Sequence, residues 1–125
     1  MFCRGIRGAT TAKTNSKEDI LEATTELLQA MIDANGIEAN DIACATFTTT
    51  SDLNAEFPAA AARQLGWTDV ALLCSKEVDV PASLPMCVRV LVLHNTDRSA
   101  EEIVHVYNRG AAGLRTDMRN TRTTS

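Results

Sequence analysis

The sequence lacks the long apolar run of a membrane-spanning helix, since no stretch approaches the roughly 18 residues required. Residues 1–7 do not contain the apolar stretch of a signal peptide. An excess of basic residues, which a nucleic-acid or anionic-membrane partner requires, is also missing, because the net charge is −4 and the pI is near 5.1. These absences predict a cytoplasmic protein that binds neither nucleic acid nor a membrane.

Motifs of cofactor and metal chemistry are missing as well. The chain contains no Walker loop, no G-x-G-x-x-G turn and no nucleophile elbow. Its four cysteines, Cys3, Cys44, Cys74 and Cys87, are scattered, and no histidine cluster accompanies them. The sequence therefore predicts no zinc site, no disulfide framework and no cofactor.

What the sequence contains is an alternation of strand-like and helix-like segments within 125 residues, a length typical of one domain. Strands are predicted at 3–13, 42–50, 70–74, 88–93 and 103–107. A short helix is predicted from Pro58 to Leu65, because proline is well tolerated in a first helical turn. We predict an α+β (mixed-sheet α/β) domain over residues 1–118 and a flexible tail over residues 119–125.

One long amphipathic helix is the most regular of these segments. Ser16 and Asp19 have the spacing of a capping box, and Asn35-Gly36 is a typical helix end. Between them, apolar residues and one threonine recur at helical spacing, and these residues are Ile20, Leu21, Thr24, Leu27, Leu28, Met31 and Ile32. The stripe is typical of core packing, so the helix is a scaffold.

Chain length also bears on assembly. A chain of this size buries only about two thirds of the surface that its unfolded form exposes. An isolated subunit would therefore be marginally stable, and contact with partner subunits would add to its stability.

Two arginines are the residues that could form an anion-binding site. Arg7 and Arg89 each lie inside a predicted strand, where a guanidinium group needs a carboxylate, a phosphate or water. An ion pair with Glu77 or Asp79, or an exposed strand face, would satisfy them as well as an anionic ligand would. Tyr107, the only tyrosine, is equally compatible with a core aromatic whose hydroxyl is bonded. The pattern alone leaves these alternatives open.

Several short motifs follow one another along almost the whole chain. They are Arg4-Gly5-Ile6-Arg7-Gly8-Ala9, Asp52-Leu53, Phe57-Pro58-Ala59 with Arg63, Cys74 to Glu77, Leu84-Pro85 before Val88-Arg89-Val90-Leu91, and His105-Val106-Tyr107 before Leu114-Arg115. In this order the motifs resemble those of the monofunctional bacterial chorismate mutases of the small trimeric type. The resemblance implies a mixed sheet packed against one long and one short helix, and a barrel-like homotrimer with active sites at the subunit interfaces. It also implies chorismate as the substrate and no cofactor.

The resemblance further implies roles for individual residues. Arg89, Glu77 and Arg7 would carry catalysis. Arg7, Arg89 and Tyr107 resemble ligands of the substrate's side-chain carboxylate and ether region, and Glu77 resembles the partner of its hydroxyl. The remaining residues resemble groups at the mouth of the cleft, Arg63 and Arg115, or lining residues, Phe57, Leu73, Cys74 and Leu114.

Two other functions stay open at this point. One is an imine or enamine deaminase on a similar trimeric fold, which would use an arginine to hold a carboxylate. The other is a non-catalytic homologue that binds a metabolite. The polar, glycine-containing segment 108–113 favours the second, because the family usually has an apolar stretch there.

Overall fold

The computed structural model describes residues 1–114 and 121–124, which form one mixed sheet with two helices. The strands are β1 (Phe2–Thr11), β2 (Ile42–Thr49), β3 (Leu72–Lys76), β4 (Cys87–Thr96), β5 (His105–Asn108) and β6 (Thr121–Thr124). The helices are α1 (Lys17–Asn35) and α2 (Ala59–Gln64), and three short 3-10 turns lie at Ala39–Asp41, Ala100–Glu102 and Arg109–Ala111. The predicted α+β class is confirmed.

The strands are arranged in the order β3-β2-β4-β1-β5-β6. Strand β4 is central and runs antiparallel to both β1 and β2. The outer pairs β2–β3, β1–β5 and β5–β6 are parallel. This order brings β1, the first strand, beside β4, although most of the described chain separates them.

Helix α1 begins and ends where the sequence predicts. Ser16 has an extended backbone, and its side-chain oxygen accepts a hydrogen bond from the backbone N–H of Asp19 at 3.1 Å. At the other end, Gly36 adopts the left-handed conformation (φ 62°) and donates its N–H to the carbonyl of Ile32 at 2.8 Å. Local capping therefore sets both ends of the scaffold helix.

The core lies between α1 and one face of the sheet. Buried residues of the strands, among them Ile6, Phe47 and Val90, pack with Leu27 and Met31 of the helix in one cluster. At Gly8 a Cβ atom would lie only 2.4 Å from the Sδ of Met31, so the helix approaches β1 closely. Side chains of alternate strand residues point to the other face of the sheet.

Of the range 119–125, predicted as a flexible tail, the structure describes residues 121–124. Within that range, Thr121–Thr124 forms β6 and pairs in parallel with β5. The short polar run has no apolar alternation that would predict a strand, but an edge strand can form through backbone hydrogen bonds alone. No helix in the described ranges is long and apolar enough to cross a membrane.

Candidate active site

Arg89 lies in a row of residues that crosses the sheet. On β4 it pairs with Ala9 of β1 on one side and with Thr48 of β2 on the other. Ala9 also pairs with Tyr107 of β5. Because directly paired residues of neighbouring strands project to the same face, all four side chains lie on the face opposite α1.

The partner of Arg89 is Glu77, which directly follows β3. Its Oε2 lies 3.4 Å from the Nε of Arg89 and accepts a hydrogen bond from the Thr48 hydroxyl at 3.0 Å. Its Oε1 accepts the backbone N–H of Val78 at 3.0 Å. Of the two ion-pair partners that the sequence allows, the structure therefore selects Glu77, and not Asp79.

These contacts lower the pKa of Glu77 below its ordinary value of 4.5. The largest cause is the hydrogen bond from the Val78 backbone, followed by the Thr48 hydroxyl and by the positive charges of Arg89 and Arg7. Partial burial acts in the opposite direction but does not reverse the shift. Glu77 is therefore an ionised carboxylate at neutral pH.

The catalytic residues implied by the resemblance, Arg7, Glu77 and Arg89, line one cavity of about 260 Å³ on this face. Two guanidinium groups and one carboxylate leave the cavity with a net positive charge, which favours an anionic ligand. The Nε of Arg89 is buried, yet it makes no hydrogen bond within the described part of the chain. The carboxylate of Glu77, 3.4 Å away, compensates the charge of this buried group, and the other guanidinium donors are left for a ligand.

A second cavity, of about 290 Å³, collects four other predicted site residues: Phe57, Arg63, Leu73 and Cys74. It lies between α2 and β3, which is the outermost strand at this side of the sheet. Phe57 and Leu73 are each 65% exposed, which is unusual for large apolar side chains. No residue lines both cavities. Within one subunit, the predicted site residues therefore lie in two separate cavities.

Three predicted residues lie outside both parts. Tyr107 is only 1% exposed and packs in a cluster with Ala9 and Cys87, against which Leu114 is partly buried. Arg115 lies outside the described residues. The predicted roles of Tyr107, Leu114 and Arg115 therefore stay predictions.

Thr48 is the contributor that sequence reasoning misses. Its hydroxyl holds the carboxylate that faces Arg89, and it does so because β2 places it directly beside Arg89. The alternation of apolar and polar residues over Ala45-Thr46-Phe47-Thr48 is the sequence signal that could have found it, since it places Thr48 on the face opposite buried Phe47. Within residues 1–114 and 121–124, no group of three or more His, Cys, Asp or Glu side chains is placed to hold a metal ion.

Comparison with known proteins gives one consistent result. The sequence profile of the family described as chorismate mutase type I matches residues 3–118. The chain is 50% identical over 116 residues to the chorismate mutase AroH of Thermus thermophilus, covering 92% of this chain and 95% of that relative. It is 40% identical over 125 residues to the chorismate mutase AroH of Bacillus subtilis (strain 168), covering 99% and 98%. The structure resembles a solved chorismate mutase from Clostridium thermocellum, with a TM-score of 0.87 and 49% identity over 89% of this chain and 99% of that one.

Proposed function

The chain belongs to the chorismate mutase type I family, an enzyme family that rearranges chorismate to prephenate, and we propose that Arg89, Glu77 and Arg7 carry this reaction in sites shared between subunits. The family match confirms the predicted mutase over the deaminase. The enzyme is an isomerase: one C–O bond of the substrate breaks while one C–C bond forms within the same molecule. The protein must therefore hold a flexible dianion in its reactive shape and stabilise charge on the ether oxygen.

The observation that carries the proposal is the common cavity of Arg7, Glu77 and Arg89. Arg89 donates to the ether oxygen as negative charge develops there, because its guanidinium stays ionised and offers several fixed donors. Glu77 holds the Nε side of that guanidinium and accepts a hydrogen bond from the substrate's ring hydroxyl. Arg7 binds the side-chain carboxylate through charge-assisted hydrogen bonds.

We propose that the second cavity completes the site of a neighbouring subunit. Each cavity alone, at about 260 and 290 Å³, lies below the range of about 300–1,000 Å³ that is usual for small-molecule sites. Exposed Phe57 and Leu73 supply the apolar surface of a subunit interface. In this arrangement Arg63 and Cys74 contact the substrate from the opposite side.

A contact between two different faces also supports the trimer. Where the two faces lie apart on the subunit, such a contact is heterologous, and it closes into a ring if the rotation between neighbouring subunits allows. A trimer is the smallest such ring, and it is the assembly that the family resemblance implies. Tyr107, in line with Arg89 across β1, is proposed to bind the substrate, while Leu114 and Arg115 are proposed to close the mouth of the cleft.

Subunit mixing tests the shared site. We expect Arg89→Ala and Arg63→Glu proteins each to be nearly inactive, because each lacks one half of every site. If the halves come from different subunits, unfolding and refolding the two proteins together in equal amounts restores about a quarter of the wild-type sites. Light scattering on each sample verifies the trimer. A mixture with no more activity than its components refutes the shared site, since sites within one subunit cannot be restored.

We also propose that the enzyme works in the cytoplasm and needs no cofactor. All four cysteines are free thiols, which suits a reducing compartment. Cell fractionation tests the location. Full activity after exhaustive treatment with a chelator tests the independence from metal ions, and a loss that added metal reverses would contradict it.

A further inference from the structure

Asp52 lies in the loop between β2 and α2, outside both halves of the site, and both oxygens of its carboxylate accept hydrogen bonds. Its two oxygens accept the backbone N–H of Met86, at 3.2 Å from Oδ1 and 3.0 Å from Oδ2. The hydroxyl of Thr50 donates to the Oδ1 of the same carboxylate. Asp52 therefore ties the residue just before β4 to the end of β2.

Thr50 extends this connection into β4 itself. While its hydroxyl donates to Asp52, the same oxygen accepts the backbone N–H of Cys87, the first residue of β4, at 3.0 Å. The backbone N–H of Thr50 also donates to the carbonyl of Cys87 at 3.1 Å. One carboxylate thus holds two consecutive backbone amides where β4 begins, one directly and one through a hydroxyl.

The residue that Asp52 holds directly has a strained backbone. Met86 has φ 55°, in the left-handed region that residues with a Cβ atom rarely adopt. Such a conformation persists only where neighbouring contacts enforce it. The carbonyl of Met86 accepts the N–H of Ala12 at 2.9 Å, and the N–H of Met86 is held by Asp52.

Arg89 lies three residues after Met86, and Glu77 begins the loop that Met86 ends. We propose that Asp52 is a positioning residue for Arg89: by fixing the strained start of β4, its carboxylate sets where the guanidinium lies relative to Glu77. The inference rests on the proposed role of Arg89 in catalysis. A displacement of about 1 Å at a catalytic group can lower the rate about a hundredfold, so small shifts at the start of the strand would be measurable.

Asp79 provides a matched control for charge. It lies in the loop between β3 and β4 and lines the same cavity of about 200 Å³ as Asp52, but in the described part of the chain its side chain makes no hydrogen bond or ion pair. We expect Asp52→Asn to lower kcat about tenfold with KM changed less than about threefold, because an amide cannot accept all three hydrogen bonds. Asp79→Asn, with the same loss of charge, should stay within about twofold of wild type.

A double-mutant cycle with Arg89→Lys separates positioning from general support of the fold. If Asp52 acts through Arg89, Asp52→Asn should cost less than about twofold in the Arg89→Lys background. The full tenfold loss in that background would overturn the inference, and so would wild-type kcat in Asp52→Asn. Unchanged kcat in Arg89→Lys alone would instead refute the proposed role of Arg89.

A second variant covers poor folding of Asp52→Asn. Thr50→Val removes only the hydroxyl that links Asp52 to Cys87. It should lower kcat about three- to tenfold, again without further loss in the Arg89→Lys background. Wild-type kcat in a folded Thr50→Val trimer, or a loss that adds fully to that of Arg89→Lys, would overturn the inference.

Discussion

Replacing Arg89 by lysine tests the chemistry of the site most directly. Lysine keeps the positive charge but has a single nitrogen in place of the guanidinium fork. In the structure the Nε side of Arg89 faces Glu77 at 3.4 Å, so the proposed ether contact requires the other donors of the group. An ammonium group drawn to Glu77 would leave the ether oxygen without that stabilisation.

The magnitude follows from the loss of one preorganised donor at a developing negative charge. Such a loss costs about 2.7–4 kcal/mol of transition-state stabilisation, which corresponds to about a 10²- to 10³-fold decrease in kcat. The effect should fall on kcat more than on KM, because the charge on the ether oxygen develops only in the transition state. The fold should survive, since the side chain of Arg89 is 28% exposed and a lysine can reach water.

Steady-state kinetics with chorismate measures the effect, while circular dichroism and light scattering verify fold and assembly. Arg4→Lys is the matched control, because Arg4 lies on β1 near the far end of the sheet. There its Nε donates to the carbonyl of Arg98 at 3.1 Å, and its guanidinium lies over the ring of Phe2. We expect Arg4→Lys to retain wild-type kcat. A folded Arg89→Lys protein with unchanged assembly and with kcat within about threefold of wild type would refute the proposed role of the fork.

Four further predictions follow from contacts and burial described above. The pKa of Glu77 is depressed, so the chemical step should vary little between about pH 6 and 8, as a pH–rate profile will test. The stability that ionised Glu77 contributes is present above its unfolded pKa of about 4.5 and should be lost as pH falls through the depressed value, which acid titration of unfolding would detect. Gly8→Ala should lower the free energy of unfolding by about 1–3 kcal/mol in denaturant, because the new Cβ would meet the side chains of Met31 and Leu27; unchanged stability would show that these side chains repack without cost. Burial raises the pKa of the Cys87 thiol, so a thiol reagent should modify exposed Cys3 first and reach Cys87 only on unfolding; equal rates would contradict this burial.

Local signals in the sequence predict much of the fold. The cap at Ser16 and the left-handed Gly36 each depend on a few neighbouring residues, so the ends of α1 are readable from the chain alone. The strands follow from runs of β-branched and apolar residues. Strand β6 could not be predicted in this way, since a run of threonine and arginine at a sheet edge shows no apolar alternation.

The site is less predictable because its geometry depends on strand register. Sequence places Arg89 in a strand, but only the pairing of β4 with β2 brings Thr48 beside it and makes Glu77 its partner. The family motifs name Phe57 and Leu73 as lining residues, while only the structure places them in a cavity apart from Arg89. Register and cavities arise from contacts between distant parts of the chain, which periodicity cannot encode.

The pairing of β1 with β4 also affects how the chain folds during and after synthesis. Its register runs from Phe2↔Thr96 to Thr11↔Cys87. Strand β1 therefore cannot pair with β4 until about 75 further residues have been synthesised. Such non-local pairing slows folding, because the entropy cost of closing a long loop must be met before contacts between the strands can compensate for it. On the ribosome, Arg7 therefore emerges early but meets Arg89 only after most of the chain has left the exit tunnel. In a refolding experiment, we expect the return of activity to lag behind the return of helical signal from α1, whose contacts are largely local.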